Sequence, residues 1–297
     1  MTTVDPSCFI PISQLPPSAE ASHGSIFQTA DLMTDIKTKV ILIGIGGATC
    51  SGKSTLVKHL SSILPHSVIV RQDDFYLPEQ MLPTLQGVDA KNWDVPSAID
   101  WSQMLKVLRD VKRIGSIPLD CISRGDWHEP GDIPIDDNRV VAWKARFEDI
   151  KQHCLVAANI KVIWVLVEGF MLYWDQDVTC QLDICIFLRL PEHILKERRE
   201  ARNKQLLAAQ SFWSDPEGYW DSICYPEYIR AHEHLFKDGD VENGAPREDL
   251  MNRLLLIEPE VKEKKMDMLD IVEVCSEKIA SYSTQVSDEV QDIDSLV

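Results

Sequence analysis

The chain has 297 residues, 44% of them hydrophobic, and a formal net charge of −17 at pH 7. That length allows one large domain or two small ones, and the apolar share allows a buried core. A surface this acidic repels nucleic-acid phosphates and anionic membranes, so neither partner is expected, and a small anionic ligand needs a local cluster of positive charge.

The 8 cysteines are scattered, with no CxxC pair and no Cys/His ligand spacing, which points to a reducing compartment rather than a disulfide scaffold. The longest apolar runs, 40–45 and 162–167, are too short to cross a bilayer. No basic region leads into an apolar run near the first residues, and no Lys or Arg precedes Lys37. Neither a secretory signal nor a mitochondrial presequence is therefore expected, and the expected location is cytoplasmic, with the nucleus as the alternative.

Residues 1–36 are rich in Ser, Thr and Pro without a sustained period and read as a poorly ordered arm. Residues 39–45 are β-branched and aliphatic, as in a strand buried on both faces of a parallel sheet. After a glycine-rich turn, Leu56, Leu60 and Ile63 recur at helical spacing and predict an amphipathic helix over 54–64. A short strand follows at 68–70, then a helix over 100–111 opened by Asp100 as its N-cap. Strands are predicted at 161–167 and 182–190, a charged helix at 191–204, a last strand at 253–257, and a helix reaching to about Ile279. This alternation predicts an α/β fold with a parallel sheet. The stretch 113–149, with Trp127, His128, Pro130, Gly131, Pro134 and Trp143, breaks the rhythm and reads mostly as loop, a surface insertion. Residues 282–297 read as an acidic, Ser-rich tail.

Gly47-Ala48-Thr49-Cys50-Ser51-Gly52-Lys53-Ser54 is a complete G-x-x-x-x-G-K-[ST] motif set between a predicted strand and a predicted helix. Its glycines let successive N–H groups converge on phosphate oxygens, and the helix that follows points its positive end at the same place. Lys53 adds a full charge across the β- and γ-phosphates of ATP, and the Ser54 hydroxyl is placed for Mg²⁺.

In open α/β sheets the chemistry gathers beyond the carboxyl ends of the strands. Two acidic sites occur there, Asp73 and Asp74 after the 68–70 strand and Glu168 after the 161–167 strand. Asp73 is the candidate base, and Glu168 either holds the metal's water shell or assists. The competing reading is a helix cap for Asp73 or Asp74 and an ordinary strand-end acid for Glu168. The densest basic stretch is Glu197-Arg198-Arg199-Glu200-Ala201-Arg202-Asn203-Lys204, with Arg198 and Arg202 one helical turn apart on one face and Arg199 on a neighbouring face. It reads as a lid over the triphosphate, or as a solvated helix face.

These motifs, together with Gln72-Asp73-Asp74-Phe75-Tyr76, Trp93-Asp94-Val95-Pro96, Glu168-Gly169-Phe170 and Asp215-Pro216-Glu217-Gly218-Tyr219-Trp220, resemble the nicotinamide riboside kinase family, in the uridine-kinase-like group of P-loop kinases. The resemblance covers 39–112 and 161–280. It implies a three-layer P-loop nucleoside-kinase fold over 37–281, with a helical lid over 192–225, acting on ATP, Mg²⁺ and a small nucleoside as a monomer or homodimer. It further implies that Gly47 through Thr55, Arg198 and Arg202 bind ATP, that Asp73, Lys53 and Glu168 are catalytic, and that Ser54, Asp73 and Glu168 serve the metal. Asp73, Asp74, Phe75, Tyr76, Trp93, Asp94 and Arg199 would line the nucleoside site, with Asp94 on the ribose hydroxyls and Trp93 stacked on a cationic pyridinium.

One departure concerns Lys204, which stands where the family often has a second aromatic. Either Phe212 or Trp213 replaces that aromatic or base selectivity differs. An ammonium disfavours cationic nicotinamide and suits anionic nicotinic acid riboside. Two other functions remain open at this level, a uridine or cytidine kinase and a nucleotide-dependent regulatory protein with little catalysis.

Overall fold

A computed structural model describes residues 36–84, 91–119, 121, 133–208, 215–250, 253–261 and 264–294. The predicted N-terminal arm lies outside them except for Ile36. Five strands, β1 (Lys37–Gly47), β2 (Val68–Arg71), β3 (Ile160–Gly169), β4 (Ile184–Leu188) and β5 (Leu254–Ile257), form one sheet in the order β2-β3-β1-β4-β5. Every neighbouring pair is parallel. The central strands are buried on both faces, which is why they read as unbroken apolar runs rather than alternating ones.

Helix α1 (Lys53–Ile63) follows the glycine-rich turn, and α2 (Trp101–Ile114) starts at the predicted cap, where the Asp100 carboxylate accepts from Gln103 N. The remaining helices are α3 (Asp137–Ala158), α4 (Gln176–Thr179), α5 (Glu192–Ala208), α6 (Tyr225–His232) and α7 (Met268–Asp294). Short strands β6 (Glu260–Val261) and β7 (Lys264–Lys265) pair antiparallel. Helices α1, α3 and α7 pack against one another and α1 and α3 reach β3, whereas α2 packs with α4 and β1. The result is the predicted α/β architecture, a parallel sheet flanked by helices as in P-loop kinases. No helix among the described residues is long and apolar enough to cross a membrane.

Two expectations are corrected. The stretch read as loop from 113 to 149 contains the first half of α3, a 22-residue helix opened by Asp136, whose carboxylate accepts from Asn138 N. Trp143 and Phe147 are buried, with ring centroids 6.0 Å apart, and Phe147 meets Trp164 of β3 edge-on at 5.6 Å. Helix α3 is therefore a wall of the core. The C-terminal helix does not stop near Ile279 but runs to Asp294, through most of the segment read as a tail. The reason lies at Ser283, which is fully buried and accepts a 3.0 Å hydrogen bond from the Trp164 indole. Ion pairs from Arg139 to Glu273 and from Arg146 to Glu277 fasten α3 to α7 along the outside.

Candidate active site

The sheet register brings the acids to the glycine-rich loop. Glu168 is level with Ile45 of β1 and with Arg71 of β2, so both neighbouring strands end beside it. Gly47 leaves the sheet at φ 138°, and a Cβ there would lie 2.4 Å from the Leu188 carbonyl oxygen, which leaves room for glycine alone. Cys50 (φ 61°) and Gly52 (φ 99°) complete the curl. Gly52 caps α1 without a side-chain bond, and no acidic residue stands in the first turn, so the positive end of the helix is unopposed. Ala48, Ser51 and Thr55 are buried, Ser54 is exposed, and Ser51 Oγ has no hydrogen-bond partner. Lys53 folds back to donate to the Ala48 carbonyl at 2.7 Å. Burial pushes its pKa down, against the pull of Glu168 and Asp73.

Asp73 lies on the short helical turn that follows β2, with Asp74 half-buried beside it. Asp73 is exposed by its surface area, yet the neighbouring protein still desolvates its carboxyl. That desolvation, with repulsion from Glu168 second, pushes its carboxyl up to about 6 while Lys53 pulls it down. Glu168 accepts from Arg71 Nε at 3.0 Å through one oxygen, and its other oxygen is buried without a hydrogen-bond partner. Gln72 braces this corner. Its side-chain carbonyl accepts from Met171 N at 3.0 Å and lies where a Cβ on Gly169 would stand.

A second group of residues forms a buried corner beside these acids. Tyr76 meets Trp93 edge-on at 5.2 Å and stacks with Phe170 at 6.2 Å. Phe75 turns into the apolar core instead, and its carbonyl holds Asp100 N. Asp94 is 8% exposed, and its Oδ2 accepts from the Tyr219 hydroxyl at 2.7 Å and from Arg199 Nη2 at 3.5 Å. Arg199 is held more firmly by Asp215, with Nε at 2.6 Å and Nη2 at 3.0 Å, and Asn203 donates to the same carboxylate at 2.7 Å. Burial works against the Arg199 charge, but the bonds to Asp215 and the Asp94 carboxylate outweigh it and raise the guanidinium pKa.

Helix α5 joins the two groups. Arg198 donates to the Cys50 carbonyl at 3.3 Å, and Arg202 donates to the Thr49 hydroxyl at 3.1 Å. Arg199 and Asn203, one position further along, point to the Asp94 corner. Two rows at i, i+4 spacing thus serve the two groups, Arg198 and Arg202 meeting the glycine-rich loop, and Arg199 and Asn203 meeting Asp215 and the Asp94 corner. The predicted basic cluster is split, with Arg198 exposed, Arg202 half-buried and Arg199 buried. Sequence reasoning assigned no part to Tyr219, Asp215, Asn203, Phe170 or Arg71. Lys204 is exposed on α5, and Phe212 and Trp213 lie outside the described residues.

No family model matches the chain. Among curated proteins, the nicotinamide riboside kinase of Eremothecium gossypii is 32% identical over 210 residues, covering 71% of this chain and 83% of that one. The nicotinamide riboside kinases of Saccharomyces cerevisiae and Schizosaccharomyces pombe are 32% and 33% identical, covering 69% and 68% of this chain and 82% and 84% of theirs. Among solved structures, a thymidylate kinase from Candida albicans aligns at a TM-score of 0.36 and 11% identity over 83% of this chain and 93% of its own, a likeness too remote to carry an argument. With about a third of the residues identical over more than four fifths of each fungal relative, the chain belongs to the nicotinamide riboside kinase family and is a kinase-type phosphotransferase.

Proposed function

We propose that the chain transfers the γ-phosphoryl group of ATP to the 5′-hydroxyl of nicotinamide riboside, giving the mononucleotide for NAD-precursor salvage, and accepts nicotinic acid riboside as a second substrate. The observation that carries this reading is the pairing of two unlike half-sites along α5. One is a glycine-rich loop with two arginines on it, and the other an aromatic corner with a buried carboxylate–guanidinium pair. The first suits a triphosphate. The second suits a ribose diol joined to a flat cationic ring.

Asp73 is poised to accept the hydroxyl proton, since a carboxyl raised to about 6 remains ionised at neutral pH yet is more basic than an ordinary aspartate. Lys53, Arg198 and Arg202 offset the negative charge of the transferring group, and α5 shields it from water. The two carboxylates acting on Lys53, Glu168 and Asp73, offer the oxygen ligands a hard cation requires, and the unpartnered buried oxygen of Glu168 leaves one acceptor for such an ion or its water. Ser54, Asp73 and Glu168 would hold Mg²⁺, which when bound neutralises charge on the β- and γ-phosphates. The enzyme would act in the cytoplasm or nucleus as a monomer or homodimer.

The test is ADP release with Mg·ATP and, separately, nicotinamide riboside, nicotinic acid riboside, uridine and cytidine. Strong turnover with a pyridine riboside is expected. Turnover with uridine or cytidine alone would overturn the substrate assignment, and ATP binding without acceptor-dependent ADP release would overturn the catalytic one.

A further inference from the structure

Tyr219 contacts both members of the Asp94–Arg199 pair. It is 2% exposed, its hydroxyl donates to Asp94 Oδ2 at 2.7 Å, and its ring lies under the Arg199 guanidinium with the centroid 5.7 Å away. Its phenol is pushed well above its ordinary pKa by burial and then by the Asp94 charge, so it stays a donor at every working pH. The Asp94–Arg199 contact itself is long, at 3.5 Å, whereas Asp215, itself held by Asn203, takes Arg199 through Nε at 2.6 Å and Nη2 at 3.0 Å. Asp94 Oδ1 makes no hydrogen bond to the described residues. The carboxylate is thus held at one oxygen and leaves the other for a ligand donor.

The backbone around Tyr219 is built to hold it there. Gly218 (φ 73°) precedes it, and a single π-helical turn, Trp220–Cys224, follows. Such turns carry one extra residue per hydrogen-bonded ring and re-aim neighbouring side chains. Both residues after Tyr219 are tied to α5, Trp220 Nε1 to Glu192 at 3.2 Å and Asp221 to Lys196 at 2.6 Å. The Tyr219 hydroxyl is therefore fixed relative to the helix that carries Arg199.

We infer that Tyr219 is a positioning residue for ribose recognition, which keeps Asp94 from collapsing onto Arg199 and so sets the preference for a ribonucleoside over its 2′-deoxy analogue. The inference rests on the reading of Asp94 and Arg199 as the ribose clamp. Without the hydroxyl, Asp94 Oδ2 has only Arg199 to approach, and Oδ1 is drawn away from the diol. A site that loses a buried hydrogen-bonding group discriminates less between ligands with and without the matching hydroxyl.

The experiment is steady-state kinetics of Tyr219→Phe, which keeps the ring, with a ribonucleoside and its 2′-deoxy analogue. Tyr225→Phe serves as control, because Tyr225 donates to Glu242 at 2.8 Å outside the clamp. The expected result for Tyr219→Phe is a KM for the ribonucleoside raised about tenfold and a ribo-over-deoxy preference lowered about tenfold, with kcat and the KM for ATP changed much less. An unchanged KM and preference would overturn the inference. So would an equal fall in all parameters with the preference intact, or the same change in Tyr225→Phe. If the native enzyme uses uridine or cytidine and no pyridine riboside, the substrate assignment fails, and the same ratio on that nucleoside still decides the role of Tyr219. If calorimetry shows that the native enzyme binds no ribonucleoside, both fall.

Discussion

Arg202 and Thr49 meet across the cleft, the guanidinium donating to the threonine hydroxyl at 3.1 Å. With Arg198 on the Cys50 carbonyl, this contact rests α5 on the loop that would hold the triphosphate. Arg202 Nε is buried and has no hydrogen-bond partner, a donor left for an anion. Arg202→Ala should lower kcat/KM for ATP by about 10- to 100-fold. Initial rates at varied ATP and saturating nucleoside would show it, and a native value would separate the contact from catalysis.

Asp73 and Glu168 carry different burdens. Arg71 ties one oxygen of the buried Glu168, whereas Asp73 is exposed. Asp73→Ala should retain ATP binding in calorimetry and lose turnover by about 10²- to 10⁴-fold. Near-native turnover would remove Asp73 from the proton transfer.

Phe147 is fully buried between Trp143 and Trp164, on a helix that composition reads as loop. Phe147→Ala should cost about 3–5 kcal/mol in urea unfolding if α3 is a wall of the core. A cost under about 1 kcal/mol would match a surface insertion instead.

The strands were legible because a two-faced parallel strand has one composition, seen in the burial of β1 from Val40 onward. Helix α3 was not, although Trp143, Phe147, Ile150 and Cys154 recur at helical spacing. That stripe is narrow, charged residues surround it, and a Pro- and Gly-bearing stretch precedes it. Ser283 misled for the opposite reason, since a serine in an acidic run reads as solvated until its partner, Trp164, is known. The loop and acid motifs were legible as local strings. The bonds joining Asp94 to Tyr219 and Arg199 to Asp215 were not, because they depend on how α5 and the π-helical turn fold against each other.

Lys204 is exposed on α5, one residue beyond Asn203. Its ammonium would disfavour a cationic nicotinamide ring and favour the carboxylate of nicotinic acid riboside, by an amount that solvent keeps small. Lys204→Ala should move the ratio of the two substrates' kcat/KM toward nicotinamide riboside by about two- to fivefold at low salt. An unchanged ratio would clear Lys204 of any part in base selection.

His232 gives the protein an acid sensitivity that the catalytic groups do not explain. It is fully buried against Phe187 and Tyr228, with Nδ1 2.7 Å from the Tyr228 carbonyl. A carbonyl only accepts, so Nδ1 carries the proton, and Nε2 is left without a hydrogen bond. Burial pushes the imidazole down to about 4, with the His234 and Lys53 charges adding to it and the Tyr228 and Phe170 backbone opposing. The unfolded chain takes up this proton near the ordinary value of about 6.5, and the folded chain refuses it until about pH 4. Stability therefore falls as pH drops between those limits and is insensitive to this group above them, by about 1.4 kcal/mol per pH unit for one proton. His232→Gln should lose less stability than the native protein between about pH 7 and about pH 5, by on the order of 2 kcal/mol. Urea unfolding at both pH values measures that difference directly, because every other titrating group contributes equally to the two proteins. Parallel losses in both would mean that His232 is protonated as readily in the fold as outside it.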